Sequence, residues 1–108
     1  MLNYFALGDS YTICEGAQPH QAWPNLLATN LTNLGVETQL IANPSVTGYT
    51  TTDLIRNELP IFDKYKIDFA TLLIGVNDWV QKVSTEKFQF NLNYILDYVQ
   101  LNITDKKS

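Results

Sequence analysis

Apolar residues fall along this chain in two kinds of pattern. Leu2 to Leu7 is a short, mostly apolar run that stops at Gly8-Asp9-Ser10, which reads as a buried strand followed by a turn. Val36 to Ile41 reads as a second strand, broken by Asn43-Pro44-Ser45. Phe69 to Ile74 is a third, ended by Gly75-Val76-Asn77-Asp78. It is apolar on both faces, as expected of a central parallel strand covered by two helix layers. Between these runs the spacing is helical. Trp23, Leu26, Leu27, Leu31 and Leu34 predict a helix with Pro24 in its first turn and Gly35 past its end. Thr51 or Thr52 is expected to cap a short second helix through Leu54, Ile55 and Leu59, which Pro60 stops. Ser84 or Thr85 caps a long third helix with Phe88, Leu92, Ile95 and Val99 as one stripe and Phe90, Tyr94, Tyr98 and Leu101 as a second.

Strand, helix, strand, helix, strand, helix is the order of an α/β protein with a parallel sheet and right-handed crossovers. No repeat, low-complexity tract or linker divides the chain, so residues 1–108 read as part or all of one domain. A hydrophobic share of 45% against 17% charged residues fits a folded globular chain. The net charge of −4 repels phosphate backbones and anionic lipid, which argues against nucleic-acid binding. No apolar run reaches the ~20 residues of a membrane span. The single cysteine, Cys14, and an opening that does not read as a leader favour a cytoplasmic setting.

In open parallel sheets, chemistry sits beyond the carboxyl ends of the strands. Small polar residues cluster at those ends: Ser10, the Asn43 to Gly48 segment, and Asn77. A serine hydroxyl becomes a nucleophile when a base takes its proton, and acyl transfer needs donors aimed at the developing oxyanion. The N–H groups of Ser10 and Gly48 and the amide of Asn77 are suited to that task, Gly48 because it lacks Cβ. His20, the only histidine, reads as part of a solvated loop rather than as the base. Cys14 reads as a small half-buried residue. Trp23 and Trp79 read as packing groups, with Trp79 the better candidate for a substrate wall. A phosphate-cradling loop is disfavoured, because Asp9 stands where phosphate would sit.

Ala6-Leu7-Gly8-Asp9-Ser10-Tyr11-Thr12 resembles the first block of the SGNH, or GDSL, hydrolase family. Asn43-Pro44-Ser45-Val46-Thr47-Gly48-Tyr49-Thr50-Thr51 resembles its second block and Gly75-Val76-Asn77-Asp78 its third, in family order. The resemblance implies a three-layer α/β/α fold with a flavodoxin-like parallel sheet, and hydrolysis of small-molecule carboxylic esters or thioesters without metal or organic cofactor. It implies Ser10 as nucleophile, with Ser10, Gly48 and Asn77 as the oxyanion hole. Asp9 and Asp78 then brace the loops. The family's fourth block, Asp-x-x-His, has no match here. The expectation is therefore the N-terminal portion of such a domain, with about three strands and the catalytic base missing from this chain. A non-catalytic acyl- or carboxylate-binding module on the same fold is the alternative. The family's sheet order places the first strand between the second and third, which leaves an open apolar edge on the third and predicts self-association there.

Overall fold

Strand β1 (Leu2–Gly8) lies at the centre of the molecule and divides its core in two. The structure is a computed structural model that describes residues 1–103; the last five residues of the expected 1–108 unit lie outside the described residues. Successive side chains of a strand point to opposite faces. Phe5 and Leu7 point one way and pack with Leu54, Leu59, Phe62, Ile67 and Ile95. Tyr4 and Ala6 point the other way, against Ala28, Leu27, Leu40 and Phe69. All four are fully buried, so the first apolar run is a strand covered on both sides.

The sheet is parallel, in the order β2-β1-β3, with β2 at Thr38–Ala42 and β3 at Phe69–Leu73. The register of β3 is held by the pair Tyr4 and Phe69, whose rings stack at 4.7 Å, and by the Tyr4 hydroxyl, 2.6 Å from that of Thr71. Two short helices, α1 (Ser10–Ile13) and α2 (Trp23–Asn33), follow β1, with a 3₁₀ turn at Pro19–Gln21 between them. After β2 come α3 (Thr51–Asn57) and α4 (Leu59–Phe62); after β3 come α5 (Val76–Val80) and α6 (Thr85–Asn102). Helix α2 supplies the core of one face, and α3, α4 and α6 that of the other. This is the three-layer α/β/α arrangement that the resemblance implies, with three strands among the described residues.

Several details depart from the sequence pattern. β3 is not a covered central strand: among the described residues it pairs with β1 alone, its side chains are half-buried, and Leu73 is exposed. Apart from Thr71 its residues are apolar, and among the described residues it forms one edge of the sheet. The cap of α3 is Thr50, not Thr51 or Thr52. Its hydroxyl accepts from the Asp53 N–H while Asp53 accepts the Thr50 N–H at 3.0 Å, a reciprocal box that satisfies two otherwise unpaired donors. Thr51 is instead turned into the interior. Pro60 does separate two helices, since it occupies the first turn of α4, where no N–H is required. β2 begins two residues later than its pattern suggests, because the Val36 N–H closes the end of α2 on the Leu31 carbonyl. On α6, Ile95 and Val99 of the first stripe join the core and so does Tyr98 of the second, whereas Phe90 and Leu101 of the second stripe are 72% and 71% exposed.

Candidate active site

Because all three strands are parallel, their carboxyl ends open on the same edge of the sheet. The chain passes from β1 to β2 on one side and then from β2 across β1 to β3 on the other, and such a reversal of direction is where an open α/β sheet forms a crevice. Three segments meet there: the β1–α1 turn, the loop from Asn43 to Thr50, and the start of α5.

The first segment turns sharply because Gly8 allows it. A Cβ on Gly8 would stand 2.1 Å from the Thr12 hydroxyl oxygen and 2.6 Å from the Leu73 carbonyl oxygen. Asp9 follows, buried, and its carboxylate caps α1 by accepting the Tyr11 N–H at 3.0 Å. Ser10 is consequently the first residue of α1, half-buried, rather than a residue of an irregular turn. Trp23 helps hold this short helix, its indole N–H donating to the Tyr11 carbonyl at 2.7 Å.

The second segment carries Gly48 at φ +89°, a left-handed conformation that glycine adopts without strain. No atom lies near its missing Cβ, so here the backbone angle, not crowding, calls for glycine. Asn43 ties this loop to the first segment by donating from Nδ2 to the Thr12 carbonyl at 3.0 Å, while its Oδ1 accepts from Ser45. The Thr47 hydroxyl makes a second tie, donating to the Glu15 carboxylate at 2.8 Å.

The third segment is helical, so Asn77 and Asp78 stand on the first turn of α5. The Asn77 amide donates to the Tyr49 carbonyl at 3.0 Å and lies 3.4 Å from the Asp9 carboxylate. One side chain thus spans all three segments. Asp78 is buried and faces α3, where it accepts both the N–H and the hydroxyl of Thr51, at 2.9 and 2.7 Å. Asn91 of α6 completes this polar cluster by donating to the hydroxyls of Thr51 and Thr52.

Of the other candidates, His20 is exposed on the 3₁₀ turn and Cys14 is half-buried at the left-handed end of α1. Trp79 does not pack as expected. It is 82% exposed and borders a small cavity of about 200 Å³ with Gly75, Val83 and Phe88, beside the Asn77 turn. Among the described residues no cluster of acids, histidines and cysteines could hold a metal ion, and no helix is long and apolar enough to cross a membrane.

The sequence reading missed Asn91 and Glu58, and it placed Asn43 in the second polar segment without giving its side chain a role. Asn91 interrupts the inner face of α6 next to Leu92 and Ile95, which is a legible signal for a buried polar contact. Glu58, an acidic residue just before the helix-stopping Leu59-Pro60 pair, carries no such signal, yet it is fully buried and accepts the Gly8 N–H at 3.0 Å. Burial, with a smaller contribution from the Asp9 charge, pushes its carboxyl up to about 8 against the lowering effect of that hydrogen bond.

A sequence profile of the GDSL-like lipase/acylhydrolase family matches residues 6–105. The chain belongs to this family. Solved structures agree. AlinE4, described as an SGNH-hydrolase family esterase, is 28% identical with a TM-score of 0.82, and the match covers 92% of this chain and 53% of that one. TesA shares the fold at 21% identity and a TM-score of 0.84, over 93% of this chain and 55% of its own. The esterase EstA from Pseudoalteromonas sp. does so at 24% and 0.81, over 94% and 55%. The GDSL-family chain therefore spans about half the length of the solved structures it matches. No match was found among curated proteins.

Proposed function

We propose that this chain carries the nucleophile side of an SGNH-type hydrolase acting on small carboxylic esters or thioesters. The observation that supports it best is the Asn77 amide, held at once by the Tyr49 carbonyl and beside Asp9, the residue preceding Ser10. Asn77 Nδ2 has two N–H groups. The bond to Tyr49 is the shorter, so the N–H near Asp9 is the one an oxyanion would take. In this reading Ser10 Oγ attacks the carbonyl carbon. The resulting oxyanion is held by the Ser10 and Gly48 N–H groups and by Asn77. The alcohol or thiol leaves, and water then releases the acid from the acyl-serine. Asp9 and Asp78 hold the loops that present these donors.

The proton of Ser10 needs a base, and the one histidine, His20, sits exposed on a separate turn. These residues alone therefore give at most trace turnover in this reading. A cytoplasmic setting fits the single cysteine, and the acidic balance fits a small neutral or cationic substrate better than a nucleic acid. The test is hydrolysis of a chromogenic acetyl ester by the purified chain. Expected is a rate far below about 1 s⁻¹ that is lost in Ser10→Ala; turnover near that rate would refute the missing base. A trace rate unchanged in Ser10→Ala would refute the nucleophile. The position of His20 also favours a second reading, a binding module that retains acyl or carboxylate groups without cleaving them. Saturable binding of a short carboxylate with no Ser10-dependent turnover is its signature.

A further inference from the structure

Glu58 enters none of the steps above, yet it lies directly under the turn that carries Ser10. Its side chain is fully buried at the junction of α3 and α4. One carboxyl oxygen accepts the Gly8 N–H at 3.0 Å; the other has no hydrogen-bond partner. The Thr12 hydroxyl is likewise buried and without a partner. Both groups flank the same glycine, since Thr12 Oγ1 lies 2.1 Å from where a Gly8 Cβ would stand. Two buried polar groups that flank one glycine, bond no protein atom and do not bond each other call for a single internal water between them. An ionised Glu58 would be a buried charge facing a second carboxylate, Asp9, the charged group that acts on it from the β1–α1 turn. A neutral Glu58 has an O–H to give, and across such a water Thr12 is an acceptor.

We propose that Glu58 is a positioning residue that works as a neutral acid: it accepts the Gly8 N–H with one oxygen, donates toward Thr12 with the other, and so fixes the turn from which Ser10 emerges. The rise of its carboxyl to about 8 supports the neutral form at pH 7. Its value for catalysis rests on the reading of Ser10 as nucleophile, but the contact itself can be tested without any turnover.

The test follows backbone amide signals by nuclear magnetic resonance during a pH titration of the chain and two variants, Glu58→Gln and Glu58→Leu. Expected in the native chain is an inflection of the Gly8 amide near pH 8, shared by Ser10 and absent in Glu58→Gln. Glu58→Gln should keep Gly8 hydrogen exchange within about threefold of native, while Glu58→Leu should speed it about tenfold or more. A Glu58-dependent inflection below about pH 6 would mean an ionised group at neutral pH and would overturn the proposal. So would a Gly8 amide that never senses Glu58, or unchanged exchange in Glu58→Leu. If Glu58→Leu does not fold, the titration of native chain against Glu58→Gln decides alone. Failure of the ester assay would leave these signals in place, so the two readings fail separately.

Discussion

The N–H and hydroxyl of Thr51 both end on the carboxylate of Asp78, at 2.9 and 2.7 Å, in a site closed to solvent. That pair locks the start of α3 to the start of α5, the turn that presents Asn77. Removing the carboxylate leaves two buried donors unpaired. Asp78→Ala should lower stability by about 2–4 kcal/mol, read from urea unfolding. Asn91→Ala, which removes a donor from the same cluster but leaves Thr51 bonded to Asp78, should cost less, about 1 kcal/mol. An Asp78→Ala chain as stable as the native one would show that the cluster does not hold the loops.

Gly8→Ala should be more damaging than its single added methyl suggests. The new Cβ would meet the Thr12 side chain and the Leu73 backbone carbonyl together. A side chain can be trimmed; the carbonyl belongs to the β1–β3 ladder. Gly8→Ala should therefore lose about 3 kcal/mol or fail to fold, and the double variant with Thr12→Ala should recover only part of it. Full recovery in the double variant would mean that only Thr12 sets the requirement. Thermal unfolding of the three chains separates these outcomes.

A parallel sheet was legible because β1 and its neighbours are short apolar runs separated by helical spacing, whereas the strand order and the three layers came from the resemblance carried by the three motif blocks. The three polar segments were legible for a related reason: each directly follows a strand. What escaped is tertiary. Thr50, Thr51 and Thr52 have the same capping chemistry, and the choice of Thr50 depends on Asp53 reaching back and on Thr51 being drawn inward by Asp78. The short helices α1 and α5 span 4 and 5 residues, too few for a periodic pattern to show. Trp79 was misread because size and hydrophobicity alone do not place a side chain indoors. Glu58 was missed because an acidic residue is nearly always outside.

The pH dependence of stability should carry the mark of Glu58. Its folded value of about 8 lies above the ordinary 4.5, so between these pH values the unfolded chain has released the proton that the folded chain retains. The folded state then binds more protons, and this group's contribution to stability falls as pH rises through that window, levelling off above it. Thermal melts from pH 5 to 9 should show native stability falling relative to Glu58→Gln across that window. Parallel curves for the two chains would contradict a buried neutral Glu58.

The open edge of β3 should make the isolated chain associate. Leu73 is 47% exposed on that strand, and Val76, Trp79 and Val80, which follow it in the chain, are exposed as well. Edges are normally blocked by charge or proline, and β3 carries neither. Sedimentation at about 50 μM should show dimers or larger species and binding of a hydrophobic dye, with Leu73→Lys shifting the chain toward monomer. A compact native monomer that binds no dye would rule this out.

The central claim is that Ser10, Gly48 and Asn77 form one acyl-binding site, and a short alkylboronic acid tests it most directly, because it adds to a serine hydroxyl as a tetrahedral anion. Its titration against isotope-labelled chain should move the Ser10 and Gly48 backbone amides and the Asn77 side-chain amide together, with one saturation curve. Ser10→Ala should abolish all three responses. Shifts confined to another region, such as the groove of about 860 Å³ between α3 and α6, or responses that persist in Ser10→Ala, would contradict the claim.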